Sequence, residues 1–327
     1  MAYKYENVEL PPSPGYCFHF SLEKIKKLYP LHIITMLFAI VLTAAKIIHY
    51  GARLRSFILL GGKILLNVTL LQTWVPDCRI NASLNGVAWF LSATLFLYFL
   101  FPWMKRIIER TPIVRLCLIC GMILAAETAA CIPFIMFFGS NSPTYVWFMY
   151  FFPVFRIGDF FVGSVLKRVF FELNLIHISR MKAVLLDASA AAMTFLVYYW
   201  HNQDHSHTLL LAIHNRTTLF VPTAAVWVLL FAANKGWLTK MLSNPLSLRI
   251  GNLSAYAFLI HFVVTQYISH LLSYKNIVVV GWKRVPLVSA ELAVTILLSV
   301  LYKHFHEKYE KYVTDRFGGR KKETVIR

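Results

Sequence analysis

Charged side chains are scarce in this chain of 327 residues, of which only 15% are Asp, Glu, Lys or Arg. Soluble domains usually carry about 25%. Hydrophobic residues make up 58% of the chain, so a water-soluble fold would have too few polar side chains to cover its surface. A fold surrounded by lipid has no such shortage. The composition therefore excludes an ordinary soluble domain and predicts an integral membrane protein.

Acidic residues are scarcer than basic ones, with 15 Asp and Glu against 33 Lys and Arg and a net charge of +18. In a soluble protein this balance would point to nucleic acid as a partner. Here the basic residues lie mainly in short clusters between apolar runs, which is typical of residues that orient a protein in its membrane. We expect the lipid bilayer as a partner and no nucleic acid.

Cysteine is also sparse, with five residues, most of them in apolar runs. Cys117 and Cys120 form a CxxC pair, but no second pair or polar setting accompanies them, so we interpret them as small apolar helix residues. The loop HNQDHSHT (201–208) offers three His and one Asp but no second set of ligands. We expect no metal site and no tightly bound cofactor.

Eight apolar segments are long enough to approach the 20 or so residues that a membrane span requires. They lie at roughly residues 29–50, 87–104, 113–138, 145–165, 183–200, 219–233, 253–271 and 286–301. The stretch 57–74 is also apolar but contains Gly61, Gly62, Lys63 and Asn67, and we interpret it as a short or partly inserted helix. The predicted fold class is an all-α, polytopic membrane helix bundle of about eight transmembrane helices, forming one domain over residues 1–327.

Basic residues alternate between the loops of an eight-span chain as the positive-inside rule requires. The richer side carries the clusters at residues 24–27, 105–115, 167–182 and 235–240 and the tail 302–327. The poorer side carries the loops 139–144 and 201–208 among others. We expect a multi-pass protein of the cytoplasmic (plasma) membrane with both ends in the cytoplasm. The first residues, 1–28, have no signal-peptide core and are predicted to form a loop.

Charge inside a span usually marks function, because it costs about 2.5–3.5 kcal/mol at the helix centre on insertion scales. Arg156 and Asp159 are three residues apart in FRIGDFFVG (155–163) and share a helix face. Two interpretations remain open. The two side chains pair with each other, or Arg156 binds an anion such as a phosphate or carboxylate in a polar cavity.

Polar residues decorate two further spans. Ser92 and Thr94 follow Trp89 in WFLSAT (89–94), and each either bonds back to its own helix or faces a site. His261 lies inside a later span and is either a packing residue or a proton-transfer group.

Three lysines, Lys24, Lys26 and Lys27, precede the first span. They anchor that span at the membrane interface or grip the phosphates of a cytoplasmic ligand.

Taken in order, these segments resemble the membrane-bound acyltransferase-3 family. The resemblance covers residues 20–265 or so and rests on the order and spacing of five motifs. They are Lys24, Lys27 and Leu28-Tyr29-Pro30; the stretch LLNVTLLQTWVP (65–76); Trp89, Leu91, Ser92, Tyr98 and Pro102; Arg156, Phe160 and Gly163; and Gly251, Ser254 and His261.

Departures from the family pattern are also visible. The family often has arginines where this chain has Lys24 and Lys27, and many members carry Glu where it has Ala93 and Thr94. Family members begin with two helices, the first bearing an Arg and a downstream His with a catalytic role, and this chain matches from the third helix onward. The resemblance therefore predicts a truncated chain or a misplaced start, with the main catalytic His upstream of Met1 and little or no activity in the sequence as given.

The resemblance implies a membrane O-acyltransferase that moves an acyl group, usually acetyl, from acyl-CoA as co-substrate to a hydroxyl of a cell-surface or exported carbohydrate. It makes His261, Arg156 and Ser92 the candidate catalytic residues within the chain. It assigns Lys24, Lys27 and Arg156 to the CoA phosphates, and Trp89, Tyr98 and Ser254 to the lining of the substrate site.

Two other functions share the same sequence features. A transporter or flippase for a glycan or lipid-linked sugar would also have many spans and intramembrane Arg and His. Broken helices in repeated halves would favour it, and the sequence shows no such pairing. A membrane scaffold without chemistry is the other alternative.

Overall fold

A computed structural model describes residues 4–5, 8–51, 53–203, 208–216 and 219–317. Over these residues the chain forms fifteen α-helices and no strand, which confirms the all-α fold class. The α-helices are α1 (Pro14–Ile25), α2 (Tyr29–His49), α3 (Leu54–Val68), α4 (Cys78–Asn81), α5 (Trp89–Arg110), α6 (Ile113–Phe138), α7 (Pro143–Val146), α8 (Ile157–Glu172), α9 (Arg180–His201), α10 (Thr208–Arg216), α11 (Phe220–Ala233), α12 (Trp237–Leu242), α13 (Pro245–Gly251), α14 (Ser254–Tyr274) and α15 (Arg284–Phe317).

Six helices among the described residues are long and apolar enough to cross a membrane, and they contain α2, α5, α6, α9, α14 and α15. The pair Pro143–Phe151 and Pro153–Glu172, which is bent by 42°, makes a seventh if the two helices form one span. The remaining predicted span, α11, has 14 residues, which is about 21 Å of helix against an apolar layer of about 30 Å. The multi-pass prediction is confirmed, with six or seven spans by length instead of eight.

The predicted loop at residues 1–28 is wrong, because α1 occupies much of it. Pro14 stands in the first turn of α1, where the N–H that proline lacks would have no helical partner in any case. The buried side chains of α1 recur at helical spacing and face α5. They are Cys17, Phe20, Ser21 and Ile25.

The stretch 57–74, predicted to be a short helix, contains most of α3, which ends at Val68 and is followed by a 3-10 turn at Gln72–Trp74. The predicted tail 302–327 begins as helix, because α15 continues to Phe317. Residues 318–327 of that tail lie outside the described residues.

The chain divides into two compact units. The first comprises Met1–Lys27, Gly61–Ser83 and Ala88–Ser247. Within it α5, α6 and α8 share an apolar cluster of buried side chains. This cluster is made of Met104, Ile108, Leu116, Phe161 and Val165.

Asp187 of α9 is a buried carboxylate in the same unit, only 3% exposed. It accepts the backbone N–H groups of Leu238 and Thr239 at 2.9 and 3.1 Å, at the start of α12. Gly236 packs so closely that a Cβ there would lie 2.1 Å from the carboxylate. Asp187 therefore caps α12 and fastens it to α9.

The second unit comprises Leu28–Leu60, Leu84–Val87 and Leu248–Arg327, and in it α14 packs on α2 and α15. Asn85, 1% exposed, donates from Nδ2 to Thr35 Oγ1 and to the Leu259 carbonyl, both at 2.9 Å. Gly86 lies against the Phe262 ring, where a Cβ would come within 2.4 Å. The short segment 84–87 is thus held between α2 and α14 by a buried amide and a close backbone approach.

Candidate functional site

A break in the helix that carries Arg156 lies in the first unit. Here α7 continues as a π-helical turn (Trp147–Phe151), Phe152 is extended, and a 3-10 turn (Pro153–Arg156) leads into α8. Proline disfavours helical backbone at the preceding residue and lacks an N–H, so Pro153 explains why the helix stops at Phe151. The predicted span 145–165 thus lies in a helix pair that is bent at Phe152. The carbonyls at the end of its first half need other partners.

Arg156 supplies those partners. Its Nε and Nη2 donate to the Tyr150 carbonyl at 2.9 and 2.6 Å, and Nη2 also donates to the Met149 carbonyl at 3.2 Å. Nη1 donates to the Asp159 carboxylate at 3.1 Å. The guanidinium lies 5.0 Å from the Tyr150 ring centre and 5.7 Å from that of Trp89. The predicted pairing of Arg156 with Asp159 is confirmed, and binding of an anion stays a prediction.

Glu127 adds a second carboxylate next to the start of α8. It lies in the middle of α6 and accepts the backbone N–H of Gly158 at 2.9 Å. A carboxylate is stabilised at a helix N-terminus by the unpaired N–H groups and the helix dipole. Glu127 was not among the residues predicted to be functional, although an acidic residue within a 26-residue apolar helix is itself a signal that marks function in a membrane.

Ser92 and Thr94 behave differently. Thr94 bonds to the Phe90 carbonyl of its own helix, as the local interpretation predicted. Ser92, 1% exposed, instead reaches outside α5, where its hydroxyl donates to the Leu70 carbonyl and contacts the Thr73 hydroxyl. Ser92 therefore joins α5 to the segment that follows α3.

Buried amides hold that segment, residues 69–83. Asn67 Nδ2 donates to the Lys63 carbonyl at 2.9 Å and to Ser83 Oγ at 3.3 Å. Asn81 Nδ2 donates to the Val75 carbonyl at 3.0 Å. These contacts give the Asn of the stretch 65–76 a structural role.

Asp77, in the same segment and outside the spans, caps α4 by accepting the Arg79 N–H at 2.8 Å. The Arg79 guanidinium also donates to this carboxylate and lowers its pKa. The negative charge of Asp77 therefore stabilises the start of α4.

Trp89 and Tyr98 lie at different levels of α5. The Trp89 ring centre lies 4.9 Å from that of Tyr150 and 5.6 Å from that of Phe151. Trp89 is thus one of the residues around Arg156, which we call the Arg156 cluster (Trp89, Met149, Tyr150, Arg156 and Asp159). Tyr98 lies further along α5, where its ring centre is 6.0 Å from that of Phe160 in α8.

Lys24 and Arg156 are also apart. Lys24 is half-buried, bonds to the Tyr5 hydroxyl and lies 4.8 Å from the centre of the Phe20 ring. Phe20 in turn stacks on Phe101, which is about 18 Å of helix rise beyond Trp89. A single phosphate therefore does not bridge Lys24 and Arg156 in this arrangement. Lys27 is exposed.

His261 and Ser254 belong to the second unit. His261 Nδ1 lies 3.1 Å from the Ala257 carbonyl, a bond that requires the proton on Nδ1 and leaves Nε2 as the acceptor. Ser254 is exposed and donates to the Gly251 carbonyl at 2.7 Å.

No group of three or more His, Cys, Asp or Glu that would suit a metal ion occurs in the part of the chain that the structure describes. Asp204, His205 and His207 of the loop 201–208 lie outside it.

These features define a polytopic helical membrane protein with charged residues gathered at a broken span. A family model described as an acyltransferase domain matches residues 10–304, which is most of the chain. The protein belongs to this acyltransferase-3 family.

A curated relative supports the same family assignment. The chain is similar to "Acyltransferase MdmB" of Streptomyces mycarofaciens, with 26% identity over 256 residues that cover 75% of this chain and 60% of the relative. The chain thus spans less than two thirds of that relative's length. No solved structure matches the chain significantly.

Proposed function

We propose that this protein acts as a membrane O-acyltransferase, which moves an acyl group, in the first place acetyl, from acyl-CoA to a hydroxyl of a cell-surface or exported carbohydrate. The observation that carries the proposal is the family match over residues 10–304, which includes every candidate site residue from Lys24 to His261. The relative that aligns with three quarters of the chain is itself named an acyltransferase.

The reaction sets the roles that the residues must fill. The hydroxyl oxygen attacks the thioester carbonyl, the C–S bond breaks, and the hydroxyl proton passes through a base to the departing CoA thiolate. His261 presents Nε2 as a proton acceptor because Nδ1 is bonded to Ala257. We assign His261 the role of a relay for this proton.

Arg156 is assigned to the negative charge that develops on the thioester oxygen or to the donor phosphates. In the structure it bonds to Asp159, whose side chain is 32% exposed, while its own is 14% exposed. An anionic ligand would take the place of Asp159 at Nη1, and the bonds to the Met149 and Tyr150 carbonyls would keep the guanidinium in position. Removal of one such preorganised donor costs about 10²–10³-fold in rate.

The transporter alternative receives less support. Transporters of the repeated type break helices in corresponding positions of two halves. The described residues contain a single bent pair, at residues 143–172, and no counterpart. We therefore retain acyl transfer as the proposed function.

The test is acyl transfer in membranes that contain the full product of the gene, supplied with [14C]acetyl-CoA. We expect label in the carbohydrate fraction, its near-complete loss in Arg156→Ala, and a wild-type level in Arg110→Ala, which removes an exposed arginine at the end of α5. Thermal unfolding of each variant in detergent separates loss of activity from loss of fold.

Three outcomes would count against these assignments. Transfer near the wild-type level in Arg156→Ala would remove that residue from the site. A wild-type level in His261→Ala would remove the relay. If the wild-type protein showed neither acyl transfer nor CoA binding, the acyltransferase proposal itself would be wrong.

A further inference from the structure

A polar cleft of about 290 Å³ lies in the second unit, where the start of α14 meets the distal half of α15. Five polar side chains line it together with the apolar Leu253 and Val300. The polar residues are Arg249, Asn252, Lys303, His304 and Glu307. None of them belongs to the Arg156 cluster.

Not all hydrogen-bond donors that line this cleft are bonded to other groups of the described chain. Within the described part of the chain, the side chains of Arg249 and Asn252 form no hydrogen bond or ion pair, and Arg249 is exposed. Lys303 Nζ lies 3.9 Å from Glu307 Oε1, and these side chains are 32% and 62% exposed, so their attraction is weak. Two permanent positive charges and one negative charge therefore face the cavity.

The lengths of the two helices place the cleft at the end of the candidate spans, where lipid headgroups are expected. From Arg284, the first residue of α15, to Lys303 the helix rises about 29 Å, which is close to the thickness of the apolar layer. The apolar run of α15 ends at Leu301, and Arg249 and Asn252 come just before α14 begins at Ser254. Both sides of the cleft are thus at the end of a span.

We propose that this cleft binds a phosphate group at the membrane surface, in the first place the phosphate of an anionic lipid headgroup. Arg249 would contact two phosphate oxygens with its planar fork, and Lys303 would add a point charge. Asn252 and His304 would supply further donors. The inference rests on the cavity and its charges and does not depend on acyl transfer. A free phosphate ester offers the same chemistry from solution.

The experiment is isothermal titration calorimetry of the purified full chain in dodecyl maltoside, with dioctanoyl phosphatidic acid as the lipid probe. Sodium pyrophosphate is the soluble probe, and dioctanoylglycerol is the control that lacks a phosphate. We expect the phosphatidic acid to bind and the dioctanoylglycerol not to bind. Binding of pyrophosphate alone would support the phosphate site and identify its ligand as soluble.

Four variants locate the binding. Arg249→Gln and Lys303→Gln should each weaken the phosphatidic acid at least about tenfold, the effect of one lost charge-assisted contact. Glu307→Gln should tighten it, because the only negative charge of the lining is removed. Lys311→Gln, which removes an exposed charge from the same helix outside the cleft, should stay within about twofold of the wild type.

Two results would overturn the proposal. One is a wild-type chain that binds neither phosphate probe. The other is an equal loss in Lys303→Gln and Lys311→Gln, which would show general attraction to a basic helix instead of a site.

Discussion

Ser92 shows at the residue scale how a polar side chain in an apolar helix is used. Its hydroxyl donates to the carbonyl of Leu70, a residue with φ of +56° in the left-handed region that non-glycine residues seldom adopt. Thr73 bonds to the same hydroxyl. The bond to Ser92 therefore helps to hold a strained turn against α5.

Replacement of Ser92 by Ala should lower stability by about 1–3 kcal/mol, because a buried carbonyl and a buried hydroxyl lose their partner. Thr94→Val is the matched control, since it also removes one buried hydroxyl but leaves the Phe90 carbonyl within its own helix. Thermal unfolding in detergent compares the two. Equal losses would mean that Ser92 has no special role in holding the segment after α3.

Arg156 illustrates a second use of polarity at the same scale. The residue was predicted either to pair with Asp159 or to bind an anion, and the structure adds backbone carbonyls as a third kind of partner. A charge that stabilises a broken helix is already desolvated and fixed in direction. This is the preorganisation that a site for developing negative charge requires.

At the scale of elements, the junction between α6 and α8 depends on a glycine. The Gly158 N–H bonds to Glu127, and a Cβ at Gly158 would lie 2.5 Å from a carboxylate oxygen. The side chain of Glu127 would have to move away and lose that bond. Glycine is therefore the residue that lets Glu127 keep this position and its hydrogen bond.

Gly158→Ala should therefore destabilise the protein by about 1.5–3 kcal/mol, the range for hydrogen bonds to charged groups. Gly163→Ala is the matched control in the same helix, because a Cβ there meets no atom within 4 Å. That change should be neutral or stabilising by up to about 1 kcal/mol, since alanine favours helix. Thermal unfolding of both variants gives the comparison, and a Gly158→Ala variant as stable as Gly163→Ala would contradict this account.

At the scale of the whole molecule, the short helix α11 decides how the chain is threaded through the membrane. With the bent pair as one span, the helices after Arg110 that are long and apolar enough to cross are this pair, α6, α9, α14 and α15. If α11 also crosses, the number of crossings is even, and Arg110 and Lys311 lie on the same side. If it does not, they lie on opposite sides.

We expect the same side, because the basic clusters then all face the cytoplasm. Arg110→Cys, Lys311→Cys and Asn141→Cys, each in a cysteine-free background, are exposed to a membrane-impermeant maleimide in intact cells. Only the Asn141→Cys variant should be labelled before lysis. Labelling of Lys311→Cys together with Asn141→Cys would contradict this topology and show that α11 or the bent pair does not cross.

The class of the molecule and most of its helices follow from the amino-acid sequence alone. Long apolar runs leave the backbone only the helix in which to satisfy its hydrogen bonds, so the predicted segments recur as helices. The spacing of Arg156 and Asp159 was enough to predict their pairing, because residues three apart meet on any helix. The motifs likewise led to the family that the comparison shows.

The contacts between distant segments became visible only in the folded chain. Ser92 bonds to Leu70, Glu127 to Gly158 and Asp187 to the start of α12, and no local pattern fixes such pairs, because each depends on how two separate elements pack. The break before Pro153 was within reach of sequence rules, but the hydrophobicity of the surrounding run concealed it. The polar cleft near Arg249 and Lys303 likewise exists only because the residues before α14 and the distal half of α15, some fifty residues apart in the sequence, pack together.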